Sequence, residues 1–165
     1  MAKIKHTKNE LKAQRDALKR YERYLPTLML KKQQLQVEVR GVEARIEDQQ
    51  RRETALAERL APWVRLFSEP YDIAALVRLR EIRTSTGNVA GVSIPILEAV
   101  EFERTLPDLF GTPPWVDDGR AVLEQMIRLR IERRVLEEQL RALRDELRTT
   151  TQRVNLFEKV KIPET

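Results

Sequence analysis

The stretch from residue 28 to residue 56, LMLKKQQLQVEVRGVEARIEDQQRRETAL, decides the fold, because its apolar side chains fall on positions that recur in alternating steps of three and four residues. The pattern extends in both directions as two interleaved seven-residue series, and thirteen of its seventeen positions are apolar: Leu11, Leu18, Leu25, Lys32, Val39, Ile46, Glu53, Leu60 and Phe67, with Gln14, Tyr21, Leu28, Leu35, Val42, Gln49, Leu56 and Trp63. A stripe of this length is typical of a coiled coil.

The start of this helix and its interruptions can be read from capping residues and prolines. Thr7 followed by Glu10 forms a capping-box pattern, which predicts that the helix begins there. Pro26 is expected to kink the helix and Pro62 to kink or end it, since each proline removes a backbone donor. Three separate helices are the alternative, although the heptad register runs through Pro26 without a slip.

A second stripe follows Asp117 and Asp118, two carboxylates suited to a helix N-terminus. Nine of its eleven positions are apolar: Val122, Met126, Leu129, Arg133, Leu136, Leu140, Leu143, Leu147, Thr150, Val154 and Phe157. We expect it to end near Ile162, because the residue before Pro163 is disfavoured in the helical region. Two such seams predict an antiparallel helical hairpin that places Leu28 near Val154, Leu35 near Leu147 and Leu56 near Met126.

Between the two stripes the periodicity changes to that of β-strands. Gly87-Asn88 lies between β-branched runs and predicts the turn of a β-hairpin. Pro95 marks the second strand as an edge or bulged strand. Residues 106–114 hold three prolines and Gly111 and are expected to form a loop. The predicted fold is therefore dominated by α-helices, with an N-terminal helix over 1–67, a central β-hairpin head over 68–114 and a C-terminal helix over 115–165, in one domain.

The excess of positive over negative charge lies at the N-terminal end. The net charge is +5, and the first 24 residues account for all of it. Such a basic helical end suits nucleic acid, an acidic membrane surface, an acidic protein cavity or plain solvation. We take six of its basic residues as candidates for partner binding: Lys5, Lys8, Lys12, Arg15, Lys19 and Arg20.

The sequence offers no chemistry that would make it an enzyme. It holds no cysteine and a single histidine, His6, so thiol chemistry is excluded and zinc binding is not expected. No segment matches the phosphate-binding G-x-x-x-x-G-K-[ST] motif. We therefore expect no catalytic residue, cofactor or metal. The charged seam residues Lys32, Glu53 and Arg133 either pair to fix the register or face water or a partner.

Several segments resemble the bacterial branch of the V-type ATPase D-subunit family. They are Ile4–Lys12 (IKHTKNELK), Arg15–Lys19 (RDALK), Leu25–Leu28 (LPTL), Leu30–Leu35 (LKKQQL), Asn88–Pro95 (NVAGVSIP) and Thr151–Glu158 (TQRVNLFE). The last of these resembles the family's Arg-Val-Asn motif, which adds Arg153 and Asn155 to the candidate partner-binding residues.

The resemblance implies a non-catalytic central shaft of a rotary ATPase. In that family the helical hairpin inserts into the hexamer of A and B subunits, the F subunit binds alongside, and the lower end docks on a subunit above the membrane ring. A cytoplasmic protein peripheral to the membrane is then expected. Family members usually run several tens of residues further than Thr165, so the chain resembles a truncated or short member. A basic coiled-coil protein that binds nucleic acid, or a scaffold, is the alternative function.

Overall fold

The computed structural model describes residues 7–63, 77–104, 111 and 115–164. Helix α1 spans Lys8–Leu60 and is followed by a 3-10 turn over Ala61–Trp63. Strands β1 (Val77–Val89) and β2 (Val92–Arg104) precede helix α2 (Trp115–Leu156). A π-helical turn over Phe157–Lys161 leads into a last helical turn, α3, over Ile162–Glu164. The predicted pair of long helices with a β-hairpin between them is confirmed.

Helix α1 begins where the capping residues predict. The Thr7 hydroxyl accepts a hydrogen bond from the Glu10 amide at 3.2 Å, and the Leu11 amide donates to the Thr7 carbonyl. The Glu10 carboxylate accepts from the Gln14 side chain at 3.0 Å. Pro26 lies inside an unbroken α1, so the alternative of three separate helices is wrong. Pro62 lies in the 3-10 turn just after α1, as expected of a proline that ends a helix.

The chain divides into two compact units, a terminal unit (Met1–Arg40 with Ala142–Thr165) and a central unit (Gly41–Arg141). In the terminal unit the predicted seam side chains Leu35, Leu143 and Val154 are buried, and Thr150 is buried among them. The Tyr21 and Phe157 rings meet at 5.1 Å between centroids. Lys31 pairs with Glu146 at 2.5 Å. These two contacts lie about one helical turn from the predicted register.

The central unit has the same kind of seam with a polar layer in it. Its buried apolar residues include Val42, Ile46, Leu56, Leu129 and Leu140. Buried Gln49 donates to the Leu129 carbonyl at 3.2 Å and to the Glu132 carboxylate at 2.5 Å. Arg133 donates to Glu53 at 2.8 Å and to Glu137 at 3.1 Å. The heptad prediction is confirmed here, and for Glu53 and Arg133 the paired alternative is the one that the structure shows.

The β-hairpin forms, but its turn lies three residues beyond the predicted one. Gly87 pairs with Ile94 inside the ladder, and the turn residues are Ala90 and Gly91, both with positive φ (51° and 81°). Positive φ at both turn positions is the geometry that twisted two-residue hairpins favour. Asn88 stabilises this turn because its Oδ1 accepts from the Gly91 amide at 3.1 Å. A Cβ on Gly87 would lie 2.3 Å from Ile96 Cδ1, so the glycine makes room for a side chain.

The hairpin is attached to α2 through β2. The Gln139 side chain donates to the Pro95 carbonyl at 2.6 Å. The Arg128 guanidinium lies 5.0 Å from the centre of the Phe102 ring, which is a cation–π distance. Ile94 and Val100 of the same strand are buried. The register shifts once between Leu79 and Glu81 and once between Arg83 and Thr84, so the ladder is bulged.

The C-terminal end of α2 differs from the prediction. Ile162 keeps helical dihedral angles (φ −68°, ψ −47°) directly before Pro163, and its amide donates to the Phe157 carbonyl. The expected break before the proline is therefore wrong. The π turn widens the helix just before α3, and Pro163 falls in the first turn of α3, where a missing amide costs least.

Phe67 of the predicted seam and Lys5 of the predicted site lie outside the described residues. So does the predicted loop over 106–114, apart from Gly111, which is a turn residue.

Candidate partner-binding surfaces

The basic candidates on α1 lie on an open helical surface. Lys8, Lys12, Arg15, Lys19 and Arg20 are all exposed. Within the part of the chain that the structure describes, none of the five forms an ion pair. Their charges are therefore available to an acidic partner. We name this surface the basic segment.

Apolar side chains lie beside the basic segment without being covered. Leu11 is 56% exposed although it occupies a seam position, and Tyr24 is also 56% exposed. Along α1 the first fully buried seam side chain is Leu35. The start of α1 thus combines positive charge with solvent-exposed apolar side chains, a combination that suits a partner with acidic and apolar side chains.

Arg153 and Asn155 lie on α2 in the same terminal unit, and both are exposed. Arg153 is in the last turn of α2, where a cation interacts favourably with the helix dipole. The hydrogen bond from Lys31 lowers the pKa of Glu146, and the charge of Arg153 lowers it further. Among the described residues no hydrogen bond or ion pair joins Arg153 or Asn155 to the basic segment, so the five α1 residues share one helical surface that these two are not shown to join.

Sequence reasoning missed an apolar groove in the central unit. Leu79 and Ile82 of β1 are exposed and line a groove of about 540 Å³ together with Ile127 and Ile131 of α2. We call it the α2–β1 groove. The clue in the sequence was the set of isoleucines on α2 outside the heptad positions, which no seam contact requires.

The described residues contain no group of three or more His, Cys, Asp or Glu side chains able to hold a metal ion. None of the described helices is long and apolar enough to cross a membrane.

The fold defines a coiled-coil protein with a central β-hairpin. Within that class the chain belongs to the ATP synthase D-subunit family, which it matches over residues 10–165. It is similar to the V-type ATP synthase D subunit of Borreliella burgdorferi, with 44% identity over 163 residues that cover 99% of this chain and 81% of that protein. The V-type ATP synthase D subunit of Chlamydia pneumoniae is 34% identical over 165 residues, covering 98% of this chain and 79% of that protein. The resemblance seen in the sequence is thereby confirmed.

Proposed function

We propose that the chain is the central-stalk subunit of a V/A-type rotary ATPase. It transmits torque between the catalytic hexamer of A and B subunits and the ion-translocating membrane ring, and has no catalytic role of its own. Family membership and the names of its relatives support a place in such a complex. The observation that carries the proposal is the start of α1, where an exposed basic segment lies beside the exposed seam residue Leu11 and the exposed Tyr24.

A subunit that carries torque needs two helices that do not slip past each other. In the terminal unit, Lys31 and Glu146 link α1 to α2 at 2.5 Å. In the central unit, Gln49 and Arg133 make directed polar contacts across the seam. A polar group in an apolar seam penalises every other register, because sliding would leave it without a partner. These contacts support a shaft with fixed register.

The basic segment is suited to a bearing in the A and B hexamer. Acidic side chains there would attract Lys8, Lys12 and Arg15, while Leu11 and Tyr24 would contact apolar groups. Exposed charges interact weakly and at long range, so they centre a turning helix without locking it in one orientation. The F subunit and a further subunit that docks on the membrane ring are the remaining partners in this proposal, and the chain lies on the cytoplasmic side of the membrane, peripheral to it.

Co-purification with the A, B and F subunits tests the proposal. The triple variant Lys8→Glu, Lys12→Glu, Arg15→Glu should no longer co-purify with A and B. A control triple variant, Arg40→Glu, Arg45→Glu, Arg51→Glu, changes the net charge by the same amount on an exposed part of α1 outside the basic segment, and it should still co-purify with A and B. Co-purification of A and B with the first variant would contradict the proposal that the basic segment contacts the hexamer.

Binding to nucleic acid is the alternative that the basic segment also favours. It predicts binding to duplex DNA that weakens steeply with salt, because phosphate contacts release counterions. Such binding, together with no association with A and B, would replace the stalk proposal.

A further inference from the structure

The α2–β1 groove has an apolar floor built from two elements. Ile127 and Ile131 come from α2, and Leu79 and Ile82 come from β1. Side chains three apart on a regular strand point to opposite faces, yet Leu79 and Ile82 line the same groove. The register shift between Leu79 and Glu81 accounts for this, because an extra residue in a strand re-aims the side chains on one side of it. The bulge therefore adds a second large apolar side chain to the groove.

Strand β1 also has a backbone edge that nothing in the described part of the chain uses. Among the described residues the sheet has two strands, so there β1 pairs with β2 on one side only. The outer edge of β2 contains Pro95, which has no amide to donate. Strand β1 has thirteen residues, no proline and a mostly exposed surface. An open edge of this length is a template for a further strand.

The charges around the groove favour an acidic occupant. Arg130 and Arg134 line it and form no ion pair among the described residues. Arg133 and Glu137 neutralise each other at 3.1 Å, and Glu138 is the remaining carboxylate in the lining. Strand β1 carries three arginines and one glutamate, and of these arginines Arg83 is paired with Glu101 of β2 at 2.6 Å. The surroundings are thus positive, although the basic segment that accounts for the net charge belongs to the terminal unit.

We propose that the α2–β1 groove binds an extended segment of a partner protein, which adds to β1 as a third strand. Its apolar side chains alternate with carboxylates: the apolar ones enter the groove, and the carboxylates meet Arg130 and Arg134. Strand addition of this kind takes affinity from backbone hydrogen bonds and specificity from alternate side chains. The groove consists of residues of the central unit and shares none with the basic segment, so binding there does not depend on whether that segment turns in a hexamer.

A synthetic probe tests this directly on the full chain. The probe is a fluorescent peptide of about ten residues, the length of a long strand, in which valine alternates with glutamate. It should bind with an anisotropy signal and should protect the amides of residues 77–89 from hydrogen exchange. A peptide with lysine in place of glutamate, and one with proline in place of alternate valines, should each bind at least about tenfold more weakly, through charge repulsion and loss of backbone donors.

Matched variants distinguish binding in the groove from non-specific electrostatic or hydrophobic attraction of the peptide to the chain. Arg134→Glu and Ile82→Asp should each weaken binding by about tenfold, whereas the exposed residues Arg45 and Leu30, changed to Arg45→Glu and Leu30→Asp, should leave it within about twofold. Circular dichroism confirms that each variant is folded. The proposal is overturned if the valine–glutamate peptide does not bind, if the lysine peptide binds equally well, if Arg45→Glu weakens binding as much as Arg134→Glu, or if residues 77–89 gain no protection.

Discussion

Leu35 and Leu30 lie on the same helix, five residues apart, and are the most informative pair for testing the seam. Leu35 is 0% exposed and Leu30 is 55% exposed. Truncating a fully buried leucine to alanine removes apolar contacts and leaves a cavity, which costs about 3 kcal/mol. Truncating the half-exposed leucine costs about 0.5 kcal/mol or less, because alanine is the better helix former.

Urea unfolding followed by circular dichroism measures both variants. With a slope of about 2 kcal/mol/M, Leu35→Ala should lower the unfolding midpoint by about 1.5 M, and Leu30→Ala should leave it almost unchanged. The slope itself should stay the same in both. Equal shifts for the two variants would refute the assignment of α1 to a one-sided seam.

Four further outcomes follow from the seam contacts and from the start of α1. Arg133→Ala should cost about 1–3 kcal/mol, because the mostly buried Glu53 carboxylate loses its main partner. The double variant Glu53→Leu, Arg133→Leu should remain within about 1 kcal/mol of the parent in thermal unfolding. The pKa of Glu146 is lower in the folded chain than its ordinary value, so its contribution is present above the ordinary carboxyl pKa and lost as pH falls through the folded value. The stability difference between the parent and Glu146→Gln should therefore shrink in acid, and a constant difference would count against the Lys31 pair. Amides of residues 8–18 should exchange hydrogen much faster than those around Leu35, which native-state exchange measures in the isolated chain.

The seam was predictable because its cause is local and periodic. Positions such as Val39, Val42 and Ile46 are buried because a seven-residue repeat keeps them on one side of the helix. The N-terminal cap at Thr7 was predictable for a similar reason, since capping needs only a hydroxyl and the amides that follow it.

The predicted hairpin turn and the predicted helix end were both wrong because neighbouring structure overrides the local sequence signal. Gly87-Asn88 is a strong turn dipeptide, but Ile96 needs the space above Gly87, and the turn moves to Ala90 and Gly91. Ile162 was expected to leave the helix before Pro163, but a π turn carries the helix past it. At Gly87 a residue nine positions away along the chain favours the strand over the turn, and at Ile162 the preceding turn of the helix keeps the chain helical.

The candidate surfaces were predictable only in part. Charge alone identifies the basic segment, and the structure shows its side chains exposed. The α2–β1 groove depends on a bulge and on the approach of β1 to α2, neither of which has a periodic trace in the sequence.

A reversible crosslink between this chain and the catalytic hexamer is the most direct test of the stalk function. The chain has no cysteine, so Arg20→Cys introduces a unique thiol in the basic segment. In a reconstituted complex whose hexamer carries one cysteine facing that position, oxidation should stop ATP hydrolysis and reduction should restore it, because a tethered shaft cannot turn. The same complex without Arg20→Cys should be insensitive to oxidation. Undiminished hydrolysis in the crosslinked complex, with the disulfide verified by electrophoresis, would contradict a rotating stalk.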